Sequence, residues 1–257
     1  MTRFPPGTFA PAPGRGSLLR MLLTQARIEF VLTLRNGEQV LLTLLIPLGL
    51  LVGLTMLDVV PMPSPRVDSV TPRVVALAVM STAFTGQAIA LGFDRRYGVL
   101  KRLAATALPR WSLVAGRMLA VLGVVAVQLG VLGTVGIALG WRPDSSGIAF
   151  AVLLVLAGTA AFGALGALLG GALRAEVVLA LANMMWLALV VAGGIVLSVD
   201  TLPGPLSVIA AALPSGALAE GLHAALVTGA APWGAVGVLL VWALGAGVLA
   251  ARTLRLS

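Results

Sequence analysis

Long uncharged stretches dominate the hydrophobic pattern of this chain. Six of them run for 18 to 26 residues without Lys, Arg, Asp or Glu, at 40–57, 74–93, 118–139, 148–173, 177–197 and 232–251. A helix of about 20 residues crosses the roughly 30 Å hydrocarbon layer of a bilayer, whereas the strands of membrane barrels are short and alternating. The pattern therefore predicts an all-α integral membrane protein with six transmembrane helices.

The segment 17–35 is apolar but interrupted by charges, which predicts a surface helix rather than a span. On a helix its polar residues form one stripe and its apolar residues lie roughly opposite. The stripe consists of Ser17, Arg20, Thr24 and Arg27, and the apolar side of Leu19, Leu22, Leu23, Ala26 and Phe30. We expect a helix in the interface plane on the cytoplasmic side; a cytoplasmic helix without membrane contact is the alternative. Residues 1–16, rich in Pro and Gly, predict a disordered lead.

The segment 198–231, between the fifth and sixth runs, is too apolar for a solvated loop. Three prolines, Pro203, Pro205 and Pro214, divide it into pieces too short to cross a bilayer. Backbone that enters a membrane without crossing it is tolerated where protein buries it. We therefore expect two short re-entrant helices, at 206–213 and 215–226, on the outer side.

The distribution of Lys and Arg predicts the orientation. With the N-terminus inside, 14 of the 17 basic residues lie on the cytoplasmic side, leaving Arg66, Arg73 and Arg142 outside. Basic residues accumulate at cytoplasmic span ends, so both termini are expected in the cytoplasm. The net charge of +8 is explained in the same way, without nucleic acid as a partner. The bacterial inner membrane is the expected location.

The loop 94–110 concentrates charge between the second and third runs. A plain basic anchor is the simpler interpretation. However, good helix formers follow Gly98 up to Pro109, and leucines give this helix an apolar side while Lys101 and Arg102 lie together elsewhere. Asp94 beside two arginines also favours salt bridges over bare lipid contact.

The stretch FDRRYGVLKRLAATALPRWSLVAGRMLA resembles the cytoplasmic loop of ABC-2 type transporter permeases. That family's pattern is an acidic residue, basic residues, a glycine, a leucine-bearing helix, a proline with a basic residue, and a glycine–basic pair. The matching positions are Asp94, Arg95, Arg96, Gly98, Leu100, Leu103, Pro109, Arg110, Gly116 and Arg117. The family often has Glu at the first position and a tighter leucine–proline spacing. The chain, 17–257 as one permease domain, is most similar to daunorubicin-resistance-type drug exporter permeases.

The resemblance implies a permease subunit of an ATP-driven exporter for an amphiphilic or lipid-like substrate such as a drug, antibiotic or lipid. Its implied partners are two ABC ATPase copies, a second permease chain, identical or paralogous, and membrane lipid. ATP and Mg would bind the ATPase, and this chain would hold no cofactor or metal. The residues implied to couple to the ATPase are Asp94, Arg95, Arg96, Gly98, Leu100, Lys101, Arg102, Leu103, Pro109 and Arg110.

Other functional classes lack their signatures. The only lysine, Lys101, is not in a P-loop, and no nucleophile–base set for an intramembrane enzyme is visible. The uncharged spans disfavour the main rival, a secondary transporter or channel without an ATPase, because such proteins usually keep an ionisable residue within a span. His223 is either structural or part of an external gate.

The few polar residues inside the runs are candidates for a translocation path. Thr85, Gln87 and Asn183 could line it, although interhelical hydrogen bonds are the simpler interpretation of such residues. Glycine pairs four residues apart, including Gly166 with Gly170, allow helices to approach closely, either within the chain or between two copies.

Overall fold

The computed structural model describes residues 17–57, 64–105, 110–195 and 204–253, and within these ranges the fold is helical without strands. The predicted lead, 1–16, lies outside them. The helices are α1 Leu18–Arg35, α2 Gly37–Val40, α3 Ile46–Met56, α4 Arg66–Met80, α5 Gln87–Arg96, α6 Val99–Ala104, α7 Arg110–Ala138, α8 Ile148–Ala172, α9 Ala175–Ala192, α10 Gly204–Ala212, α11 Pro214–Thr228 and α12 Trp233–Thr253. Two π-helical segments, Leu41–Leu45 and Ser81–Gly86, join α2 to α3 and α4 to α5.

Within the residues that the structure describes, five helical stretches are long and apolar enough to cross a membrane. They are Arg66–Arg96, Trp111–Ala138, Ser145–Ala172, Ala175–Ala192 and Trp233–Thr253. Helices α10 and α11 count as a sixth only if they form one span, and they are bent by 91°. The predicted all-helical, multi-pass membrane fold is therefore confirmed, while the set of six spans remains a prediction.

The predicted and observed span limits differ for four of the predicted spans. The second span begins at Arg66 rather than 74 and the third at Trp111 rather than 118, because charged side chains end an apolar run without ending a helix. The fifth helix stops at Ala192, before Gly193 and a left-handed Gly194 (φ 72°), rather than at 197. The first predicted span contains only a shorter apolar helix, Thr43–Met56, within the described residues.

Helix α1 begins at Ser17, whose side chain accepts a hydrogen bond from the Arg20 amide. It packs on α7, where Gly116 faces Gln25 and Gly123 faces Phe30. Since both contacts advance in the same direction, the two helices run parallel over about two turns of α7. On the predicted apolar side of α1, Ala26 is buried in this contact, whereas Leu19 and Leu23 are exposed. The position of α1 relative to a bilayer remains a prediction.

The core of the molecule surrounds α8, which contacts α4, α5, α11 and α12. Phe84, Phe162, Leu154 and Leu218 are fully buried there. The two short helices predicted between the fifth and sixth spans are present as α10 and α11, separated at Leu213–Pro214. Most of α11 is buried, which explains why so apolar a segment is not a solvated loop.

Backbone contact between α8 and α5 depends on glycine. A Cβ at Gly170 would lie 2.5 Å from the Ala88 carbonyl oxygen, and one at Gly166 would lie 2.8 Å from that of Phe84. This predicted glycine pair therefore serves packing within the chain. A Cβ at Gly53 on α3 would meet nothing within 4 Å.

We expect Gly170→Ala to destabilise the protein by about 1–3 kcal/mol, because the added methyl group must push α5 away from α8. Thermal unfolding in detergent measures the change. Gly53→Ala is the matched control, since the same substitution there is unopposed and should leave stability equal or slightly higher. Equal melting temperatures for the two variants would show that α5 and α8 are not in backbone contact.

Candidate functional site

The predicted coupling segment lies where α5 ends and α6 begins. Asp94, Arg95 and Arg96 form the last turn of α5, so they belong to the second span rather than to the loop. The chain turns at Gly98, whose φ of 70° is readily available only to glycine. The helix that was predicted between Gly98 and Pro109 is present as α6, which has six residues within the part of the chain that the structure describes. Pro109 and the side chain of Arg110 lie outside the described residues.

Arg117 of α7 joins two other helices through its guanidinium group. Its Nη2 donates to the Asp94 carboxylate of α5 and lies 3.6 Å from the Glu29 carboxylate of α1. Gln25 Nε2 donates to Glu29 over 3.0 Å, which orients the second carboxylate. A mostly buried cation thus holds α1, α5 and α7 together, and Asp94 pairs across the fold rather than with its neighbouring arginines.

Arg95 and Arg96 attach α5 to the link between α8 and α9. Arg95 Nη1 donates to the carbonyl oxygens of Gly170 and Leu173 over 3.0 and 3.2 Å. A cation is favoured there because the last carbonyls of a helix carry partial negative charge. Arg96 pairs with Glu176 at the start of α9, and both side chains are largely exposed. The last turn of α5 is therefore bonded to both the end of α8 and the start of α9.

Helix α6 has the predicted apolar and basic sides. Leu100 and Leu103 line a small cavity of about 80 Å³ together with residues of α5 and α7. Lys101 and Arg102 are exposed, and Arg102 donates to the Tyr97 carbonyl oxygen over 3.1 Å. We call this region the basic end. It consists of α6 and of the neighbouring ends of α5, α7, α8 and α9, which include Asp94–Arg96 on α5, Arg117 on α7 and Arg174 between α8 and α9.

The three candidates for a translocation path have different environments. Asn183 is exposed on α9 and donates to the Leu179 carbonyl oxygen of its own helix. Gln87 lines the cavity beside Arg117. Within the described residues, Thr85 Oγ1 and Gln87 Oε1 are buried without a hydrogen-bond partner.

A buried polar cluster joins the first three predicted spans, a role that the sequence did not reveal. Gln128 of α7 is 3% exposed. Its Nε2 donates to the Thr43 carbonyl oxygen over 2.9 Å, and Thr82 Oγ1 donates to its Oε1 over 3.0 Å. Gln128 therefore forms interhelical hydrogen bonds, which is the simpler interpretation given above for polar residues in spans.

An ion pair inside the helix bundle corrects the expectation that the spans hold no charge. Arg73 lies in the second span and is 5% exposed. Its Nη2 is 3.8 Å from Glu220 Oε1 on α11. The sequence placed Arg73 just outside the span, because only an uncharged run was counted. The available signal was that Glu220 is an isolated charge in an apolar segment and that Arg73 lies on the same predicted side.

Comparison with protein families gives a match to the family described as ABC-2 family transporter protein over residues 67–252. This region contains the basic end, the buried ion pair and all the long apolar helices. The chain belongs to the ABC-2 transporter family. Membership implies a membrane subunit of an ABC transporter, typically non-catalytic, that pairs with an ABC ATPase. No curated protein sequence matches this ABC-2 protein.

For this ABC-2 protein, we expect Arg117→Met to lower the free energy of unfolding by about 2 kcal/mol. That value lies between those of exposed and buried ion pairs, since Asp94 and Glu29 would lose their shared cation. The measurement is thermal unfolding in detergent. Arg27→Met, which removes an exposed arginine from α1, is the control and should change stability little. A similar loss in both variants would contradict the joining role of Arg117.

Two Glu–Arg pairs of the ABC-2 protein, Arg73–Glu220 and Arg96–Glu176, should respond differently to Glu→Gln. Glu220→Gln leaves the buried Arg73 without its carboxylate and should cost about 1–3 kcal/mol of stability. Glu176→Gln breaks an exposed pair and should cost at most about 1 kcal/mol. Thermal unfolding of the two variants side by side makes the comparison. A larger loss for Glu176→Gln would mean that burial does not determine the strength of these pairs.

Proposed function

We propose that this ABC-2 protein is the permease subunit of an exporter that moves an amphiphilic or lipid-like substrate, such as a drug, antibiotic or lipid, out of the cytoplasm. Its basic end would face the cytoplasm of a bacterial cell, within the inner membrane. The single observation that carries the proposal is α6, a helix with exposed cations that is attached to the ends of several spans.

The proposed assembly contains two ATPase copies and a second permease chain, identical or paralogous. ATP and Mg would bind the ATPase subunits. Helix α6 would dock on the ATPase, with Lys101 and Arg102 toward the partner and Leu100 and Leu103 toward α7. The family membership supports an ATPase partner, and the exposure of the two cations supports this orientation.

Movement of α6 has a direct route into the membrane helices. Gly98 joins α6 to α5, and α5 is held to α8 by Arg95 and to α9 by Arg96. Through Asp94 and Arg117 it is also held to α7 and α1. ATP-driven closure of the ATPases would therefore displace these elements together and move a central cavity from inward- to outward-facing, as a two-state hinge or rocking change.

A secondary transporter is the second candidate, and the buried Arg73–Glu220 pair is the observation that favours it. Ionisable residues inside spans often belong to ion or proton pathways. The two candidates differ in their need for nucleotide. Transport by the purified chain alone in vesicles, without an ATPase or ATP, would support the secondary transporter and reject the exporter.

The exporter is tested by reversing one charge on α6. We expect Lys101→Glu to reduce ATP-dependent transport at least about tenfold in vesicles that contain the permease and its ABC ATPase partner, because the reversed charge would oppose the proposed docking of α6. Lys101 is a cleaner choice than Arg95 or Arg96, whose side chains bond within the chain.

Arg142→Glu, an equal reversal at an exposed residue in the link between α7 and α8, is the control. Co-purification of the ATPase with each variant is measured in parallel. Full transport by Lys101→Glu, or the same loss in both variants, would contradict docking through α6.

A further inference from the structure

A cleft of about 470 Å³ opens at the basic end, between α5, α6 and the link that joins α8 to α9. Its charged lining consists of Arg95, Arg96, Lys101, Arg174 and Glu176. Leu100 and Leu173 contribute apolar surface to the same cleft. A space of this size is large enough for a small ligand or a headgroup.

The charges of the cleft are unbalanced. Four cations face one carboxylate. Arg95 is bonded to helix carbonyl groups and Arg96 to Glu176. Lys101 and Arg174 are exposed, and among the residues that the structure describes neither side chain has a hydrogen-bond or ion-pair partner. The uncompensated positive charge therefore comes from α6 on one side and from the α8–α9 link on the other.

The position of the cleft along the helices restricts its ligand. The candidate spans Arg66–Arg96 and Ser145–Ala172 end beside it, and Ala175–Ala192 begins there. The uncharged runs of these helices end at Phe93 and Leu173, and the next one begins at Val177. Because charged residues first appear at the cleft, we expect it at the level of the lipid headgroups. This placement holds for either orientation of the chain.

We propose that the cleft binds the phosphate group of an anionic phospholipid. Arg174 would contribute a planar guanidinium that matches two phosphate oxygens, and Lys101 a compact ammonium from the opposite wall. Basic pockets between membrane helices on the cytoplasmic side are typical sites for anionic headgroups. Leu100 and Leu173 offer apolar surface for the glycerol end of the acyl chains.

This inference goes beyond the proposed transport function and does not require an ATPase. A bound phosphate would connect α6 to the α8–α9 link through Lys101 and Arg174. The lipid would therefore stabilise one position of α6. Arg174, which has no part in the proposed ATPase docking, is the residue that separates the two functions.

The test uses the full-length protein, purified and stripped of lipid in detergent. It is titrated with short-chain phosphatidylglycerol, with phosphatidylcholine of the same chain length, and with inorganic phosphate. Bound lipid is counted by native mass spectrometry, and the melting temperature is followed in the same samples. The variants are Arg174→Gln, Lys101→Gln and, as a matched control at the distant α7–α8 link, Arg142→Gln.

We expect phosphatidylglycerol to bind and to raise the melting temperature more than phosphatidylcholine. Each of Arg174→Gln and Lys101→Gln should weaken that binding about fivefold, the contribution typical of one basic residue near a charged headgroup. Arg142→Gln should bind as the unmodified protein does. All three substitutions replace exposed side chains, so folded protein is expected and is checked by gel filtration.

Equal binding of the two lipids, or unchanged binding in both Arg174→Gln and Lys101→Gln, would overturn the proposal. Inorganic phosphate that gives the same stabilisation at the same concentration would show a free-anion site and would reject the lipid. Lipid binding without a co-purifying ATPase would leave this inference standing while the exporter fails. Co-purification of the ATPase without selective binding of phosphatidylglycerol would reject the lipid site and leave the exporter standing.

Discussion

The arrangement of helices at the basic end depends on the ion pairs of the Arg117 guanidinium group. This group lies between the carboxylates of Asp94 and Glu29, which belong to helices far apart in the sequence. Without a cation between them, two half-buried carboxylates at close range repel each other and are costly to desolvate. Because Asp94 shares one helical turn with Arg95 and Arg96, the same contact fixes how α5 meets α8 and α9. Movement of α6 therefore acts on a connected set of helices.

The sequence predicted the elements of this protein better than their partners. Apolar runs revealed the long helices, Gly98 marked the start of α6, and Pro214 marked the division between α10 and α11. These features are local, since each depends on a few neighbouring residues. The pairing of Asp94 with Arg117, or of Arg73 with Glu220, depends on tertiary packing. One sequence shows which residues are charged, but it does not show which of them meet.

The burial of α11 and of Arg73 changes the interpretation of the spans. The sequence pattern predicted spans without charge, yet one arginine of the second span is buried against α11. A buried pair at 3.8 Å contributes little net stability when both charges must be desolvated, but it specifies which surfaces meet. The pair therefore determines how the segment between the fifth and sixth spans sits against the second span.

The π-helical segment Ser81–Gly86 divides the second span into two halves, with Arg73 before it and Asp94 after it. A π turn contains about one residue more than an α turn, and one residue corresponds to about 100° around a helix axis. The rotational phase of Asp94 relative to Arg73 is therefore set by that extra residue. In a continuous α-helix, the residues that now face α11 and those that now face α7 would no longer both meet their partners. The irregular turn aligns the two ends of one helix with two different neighbours.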